Sequence, residues 1–306
     1  VVSTQSTGSV TIPDNCRFIR YIASGAYGDV SECFSSQFNK IVAVKRVKME
    51  HDYPSVPSTT LREISILKKL NQTDCENIIK LLDVNYDKRN IFLIFEYCDV
   101  DLEKHLKTHQ LTVLEQKALF KQLLNGLQLI HKHECVHRDI KPNNILLKLP
   151  LQQESDFSQE IVLKISDFGL ARTFAIQGQV SANVATLWYR APELLVGKVN
   201  YGLEIDIWSA GCVLYKMVTG EALFQVKDDE ELLEEICFLF GGYDSGNWPK
   251  DGAYRQKLIQ YEEYTGDVSK IDALGEDLAE LIKGFLKADP KKRWTIEQAL
   301  KCKWLE

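Results

Sequence analysis

The chain has 306 residues, 45% hydrophobic and 26% charged, the balance of a soluble globular protein large enough for two lobes with separate cores, which excludes a disordered chain. A net charge of -6 argues against nucleic acid as an obligatory ligand, because phosphate backbones select basic faces. No apolar run reaches the roughly 18 residues of a membrane span, the polar start has no signal-peptide core, and eight dispersed cysteines show neither C-x-x-C nor metal-ligand spacing, so a nuclear or cytoplasmic protein with reduced thiols and no membrane attachment is expected.

After a polar leader, residues 1–15, strand-like runs at 17–22 and 29–34 flank Ala23-Ser24-Gly25-Ala26-Tyr27-Gly28, a hairpin signal. In a G-x-G-x-x-G-x-V loop the glycines let backbone amides approach phosphates closely. Gly25, Gly28 and Val30 fit this pattern, while Ala23 stands where the first glycine belongs. Taken alone, an ordinary hairpin turn accounts for the stretch equally well. The next predicted strand, 40–47, contains Val42-Ala43-Val44-Lys45, a V-A-I-K match with one aliphatic swap. A lysine ending an apolar strand is commonly a snorkelling surface charge. Lys45, however, follows Gly28 by 17 residues, a spacing that can return an ammonium on the adjacent strand to the α and β phosphates.

A helix is predicted over 57–70, with Pro57 and Ser58 at its start and Ile64, Leu67 and Leu70 at helical spacing. Glu63 falls in its first half, where it either complements the helix dipole or pairs with Lys45. The string Pro57-Ser58-Thr59-Thr60-Leu61-Arg62-Glu63 departs only at Thr60 and Leu61 from the P-S-T-A-I-R-E helix by which cyclin-dependent kinases bind cyclins, so the chain resembles that family. The apolar strand 91–97 then becomes, by resemblance, the approach to a hinge. Phe95 would line the back of the adenine pocket, the backbone of Glu96 to Cys98 would bond the base, and Asp101 would face the ribose. Ile22, Ala23, Ser24, Gly25, Gly28 and Val30, with Ala43, Lys45 and Leu146, complete the ATP contacts that the resemblance implies.

In the second lobe, Leu114, Ala118, Leu119, Leu123, Leu127 and Ile130 form the stripe expected of a buried helix. It leads into His137-Arg138-Asp139-Ile140-Lys141-Pro142-Asn143-Asn144, a match to H-R-D-x-x-x-x-N in a helix, loop, strand layout. There Asp139 is the expected acceptor of a hydroxyl proton, Lys141 a cation beside the transferred group, Asn144 a Mg2+ ligand, and His137 a packing residue. Residues 148–160 read as a surface insertion that adds little closure entropy. Ser166-Asp167-Phe168-Gly169 supplies a second Mg2+ ligand, Asp167, and precedes Ala191-Pro192-Glu193 by 24 residues. Between these anchors, Thr186-Leu187-Trp188-Tyr189-Arg190 again resembles the cyclin-dependent kinases. By the same register Ser181 is the expected activating phosphosite, and Arg62, Arg138 and Arg172 would gather around its phosphate. Tyr27 retains the position of an inhibitory phosphosite, with Ala26 in place of its usual Thr neighbour. Asp206 is expected to bond the catalytic-loop backbone and Arg293 to pair with Glu193. The acidic run 228–235 reads as a solvated helix face, and 241–264 as a loop-rich insert.

Seven elements in order (the glycine loop, Lys45, Glu63, Asp139, Asn144, Asp167 and Glu193) imply an α+β, bilobal eukaryotic protein kinase fold over residues 16–305. Its small antiparallel-sheet N-lobe with one main helix would span 16–97, and its larger helical C-lobe 98–305. The implied activity is transfer of the ATP γ-phosphate, with Mg2+, to Ser or Thr followed by Pro in protein substrates. It would require a cyclin-type subunit on the 57–63 helix and an activating kinase acting on Ser181. A kinase-activating or polymerase-tail role within the family remains open, as Asn143 and Arg293-Trp294-Thr295 suggest. A pseudokinase scaffold is the rival that Ala23 raises. The absence of T-x-Y between Asp167 and Glu193 argues against a mitogen-activated kinase.

Overall fold

Period-two alternation in the first hundred residues becomes a five-stranded antiparallel sheet in the computed structural model, which describes residues 4–7, 10–25, 28–48, 56–87, 90–150, 160–173, 187–198 and 201–306. The strand order is Cys16–Gly25, Gly28–Ser35, Lys40–Lys48, Asn90–Glu96, Leu81–Tyr86. Cys33 opposes Val42 and Val44 opposes Ile94, so these residues share one face. Ile12, Cys16 and Phe92 join them in a buried core fringed by Phe18, Phe38 and Leu82. Val30 opposes Lys45, which places Val30, Ala43 and Lys45 on the other face. A one-residue slip would exchange the two faces, so burial of the core fixes which way Lys45 points.

Gly25 and Gly28 are the last paired residues of the hairpin formed by the first two strands of this sheet. Gly28 has φ +134°, and a Cβ there would lie 2.0 Å from the carbonyl oxygen of Arg46. Only glycine permits that approach. The helix Ser58–Leu70 follows Pro57 and buries Thr60, Glu63, Ile66, Leu67 and Leu70. These elements belong to a compact unit of Val1–Val100 with Leu146–Gly169.

The second unit, Asp101–Ile145 with Leu170–Glu306, is helical. Its Val113–Lys132 helix opens on a capping box between Thr112 and Glu115 and buries Gln116, Leu119, Phe120, Leu123, Leu124, Leu127 and Ile130. Leu114 does not belong to that stripe, contrary to expectation: it is 79% exposed, and Ala118 is only partly buried. The buried arc is centred near Leu123 and Leu127, and at helical periodicity Leu114 falls on the opposite side. The Glu204–Thr219 helix is buried almost all round and ends at Gly220 in the left-handed conformation, φ +81°.

Asp228 caps the Asp229–Phe240 helix, whose Leu232, Leu233, Ile236 and Cys237 point inward. Its acids face solvent as expected, with Asp228, Glu230, Glu234 and Glu235 exposed, and Asp229, its side chain 46% exposed, also pairs with Arg190. The 241–264 stretch carries a helix, Gly252–Leu258, begun by Asp251, whose side chain accepts the amide of Ala253. All eight cysteines are free thiols, and burial pushes Cys33 and Cys237 up to about 12. No described helix is long and apolar enough to cross a membrane.

Candidate active site

Lys45 Nζ donates to both carboxylate oxygens of Glu63, each at 2.9 Å, and lies 3.7 Å from Asp167 Oδ1, all within the first unit. The side chains of Lys45 and Glu63 are 13% and 4% exposed, whereas that of Asp167 is 31% exposed. Burial acts to lower the Lys45 pKa, but the carboxylates of Glu63 and Asp167 outweigh it and hold the ammonium above its ordinary value. Burial pushes the Glu63 carboxyl upward, as does the charge of Asp167, with Lys45 acting in the opposite sense. The result is a fixed ammonium with a second, more open carboxylate beside it.

Asp167 has φ +61° and stands before the fully buried Phe168. The strand leading to it, Val162–Ile165, is fastened by Lys164, 4% exposed, whose Nζ meets Glu96 at 3.0 Å and the Glu76 carbonyl at 2.7 Å. Asn77 adds a bond from its side chain to the Leu163 carbonyl at 3.0 Å and accepts the Ile165 amide at 2.9 Å. A buried lysine in an apolar strand gave no sequence signal distinct from a surface charge, and Asn77 gave none at all. Among the other expected nucleotide contacts, Val30, Ala43, Ile22, Glu96 and Leu146 are partly buried, and Ala23 and Ser24 are exposed. Cys98 is partly buried, its thiol pushed up to about 12 chiefly by burial. Arg20 links Glu32, at 2.7 Å, to the Tyr97 hydroxyl, at 2.8 Å, a bridge that the sequence did not suggest.

In the second unit, Asp139 Oδ2 lies 2.8 Å from Lys141 Nζ and accepts Asn144 Nδ2 at 2.8 Å. Asn144 Nδ2 also donates to the Asp139 carbonyl at 2.8 Å, which closes the loop through the turn Pro142–Asn144. His137 is fully buried, and its Nδ1 accepts the Asp139 amide at 3.3 Å. Asp206 accepts the amides of His137 and Arg138, both at 2.8 Å, and meets His131 Nε2 at 3.0 Å. Burial would raise the Asp206 carboxyl, but the bond and charge of His131, the charge of His137 and the Arg138 amide hold it below the usual carboxylate range. Arg293 grips Glu193 with two bonds of 2.6 and 2.7 Å and lies 5.1 Å from the centre of the Trp208 ring. Asp101 caps the Leu102–Thr108 helix by accepting the Lys104 amide at 2.9 Å.

The expected phosphate-binding arginines are distributed over both units. Arg62 lies on the Ser58–Leu70 helix. Arg172 opposes Val136 in a short antiparallel pair, which sets it beside the segment entering Arg138. Arg138 itself lies 5.7 Å from the centre of the Tyr201 ring. Ser181 and Tyr27 lie outside the described residues.

Asp167 offers a partly exposed carboxylate in the first unit, and Asn144 a side-chain amide in the second. Both are hard oxygen donors of the kind Mg2+ takes beside substrate phosphates. Residues 17–305 match the family described as Protein kinase domain.

Proposed function

The chain belongs to the protein kinase domain family, and from that premise we propose a cyclin-dependent enzyme that phosphorylates serine or threonine followed by proline. Its sheet-bearing unit with one main helix and its helical unit are the two lobes of the kinase fold. As a protein kinase it transfers phosphoryl groups from ATP.

The Lys45–Glu63 pair holds an ammonium charged and immobile for the α and β phosphates. Asp167 and Asn144 would hold Mg2+, which when bound neutralises charge on the β and γ phosphates. Asp139, braced by Lys141 and Asn144, accepts and orients the proton of the substrate hydroxyl. Asp206 fixes the loop from which Asp139 projects. Catalysis in this reading is positioning and electrostatics, with no covalent intermediate on the chain.

The observation that supports cyclin dependence is Leu61. It is 54% exposed on the helix that buries Glu63 two residues later. An exposed leucine in the P-S-T-T-L-R-E stretch suits a helical activating subunit, which would couple docking to Glu63. Control by phosphorylation at Ser181 and Tyr27, and a nuclear or cytoplasmic location, belong to the same proposal. The test is incorporation of labelled phosphate into paired Ser-Pro and Ser-Ala peptides, with and without cyclins. Selective Ser-Pro labelling that needs a cyclin and disappears in Leu61→Asp is expected. Equal labelling of both peptides by the isolated chain would overturn the subclass, and labelling confined to other kinases would make it a kinase-activating member.

A further inference from the structure

Asp29, the residue after Gly28, is 7% exposed although it carries a charge. Its Oδ1 accepts Ser24 Oγ at 2.8 Å, and its Oδ2 accepts Arg46 Nη2 at 2.7 Å. Ser24, Asp29 and Arg46 are also register partners across three adjacent strands, so they form one row perpendicular to the chain. Successive side chains alternate between faces, and Val30 with Lys45, each one residue away, therefore occupy the opposite face. The side chains of the row therefore leave the face that carries Lys45, so Ser24, expected among the ATP contacts, would reach a nucleotide there only through its backbone. At the same point Gly28 brings the backbone against the Arg46 carbonyl, an approach that a Cβ would block at 2.0 Å.

We infer that Asp29 is a positioning residue for the nucleotide phosphates: it clasps both arms of the glycine hairpin to the strand that carries Lys45. The inference rests on the ATP-dependent reading above and deepens it. A buried carboxylate persists only when paired, and here the two partners lie on the two neighbouring strands, so the pairing fixes strand positions rather than surface charge. Ala23 shows why such a clasp is useful. With alanine in place of the first glycine, that arm has less backbone freedom to settle onto phosphates after they arrive. A hairpin held at the correct height beforehand avoids that adjustment, which is the general advantage of preorganisation.

The experiment measures dissociation constants for ATP and adenosine, and KM against kcat, in the full chain and in Asp29→Asn, Arg46→Gln and their double variant. Each single variant is expected to weaken ATP by about tenfold, the scale of one charge-assisted bond, and to leave adenosine within about twofold. The double variant should be no worse than either single one, since one unit is broken. Ser24→Ala, at an exposed position, serves as a second variant if thermal melting shows either substitution to be poorly folded, and a smaller selective loss of ATP is expected there. Unchanged ATP affinity in folded Asp29→Asn, or equal loss of ATP and adenosine, overturns the clasp. A wild-type chain that binds no ATP overturns the functional reading itself, and the clasp with it.

Discussion

The carboxylate of Asp206 accepts the backbone amide of Arg138 at 2.8 Å, and Arg138 is held at φ +73°. A long side chain in the left-handed region costs on the order of 1–3 kcal/mol and persists where surroundings over-determine it. Asp206 is that surrounding, because its other bonds go to the His137 amide and His131. Its pKa is depressed in the folded chain. Its contribution is therefore fully present above the unfolded carboxylate value of about 3.9 and lost as pH falls through the lower folded value. Asp206→Ala should cost about 2–5 kcal/mol near neutrality by urea unfolding, a difference that narrows only below about pH 4. A gap that widened on acidification would contradict the assignment.

Lys45→Met leaves Glu63 buried beside Asp167 without its cation, and a lost buried partner costs about 3–5 kcal/mol. Adding Glu63→Gln removes the stranded carboxylate. The double variant should therefore melt higher than Lys45→Met alone while remaining as inactive. Calorimetric melting with a phosphorylation assay separates the two effects, and equal melting of the single and double variants would argue against a charged pair.

Asp139→Asn keeps the size of the side chain but removes the proton acceptor. The expected outcome is a loss of kcat on the order of 100- to 10,000-fold with KM for ATP nearly unchanged. Near-normal kcat would displace Asp139 from the role of base. A large rise in KM would instead assign it to nucleotide binding.

Leu123→Ala should destabilise by about 2–5 kcal/mol, because Leu123 is fully buried. Leu114→Lys should change stability by less than about 0.5 kcal/mol, because Leu114 is largely exposed. Chemical denaturation of both variants checks the placement of the buried arc.

The contrast between Leu114 and Leu123 also marks how far the sequence could be read. Strands, hairpin and helices were legible because alternation and helical periodicity record which face is buried. The Lys45–Glu63 pair was legible because motif spacing encodes it, whereas the bond from Asn144 to Asp139 emerged only in the folded chain. The first turn of the Val113–Lys132 helix was misjudged because an apolar residue at nearly the right spacing looks the same whether or not anything covers it. The Asp29, Lys164 and Arg20 contacts were missed for a related reason. A charged residue in a strand reads as solvent-facing, and only the folded chain shows its partner, which stands across the sheet for Asp29 and Arg20 and on a strand of another sheet for Lys164.

Asp167 joins two demands that belong to different parts of chemistry. Its φ of +61° calls for a residue at ease in the left-handed region, which for side chains other than glycine means chiefly asparagine or aspartate. Its carboxylate, beside Lys45, calls for negative charge. Asparagine meets the first demand and fails the second. An Asp167→Asn chain should thus keep its shape while stalling its turnover, the form in which nucleotide, partner and substrate could be captured together before reaction.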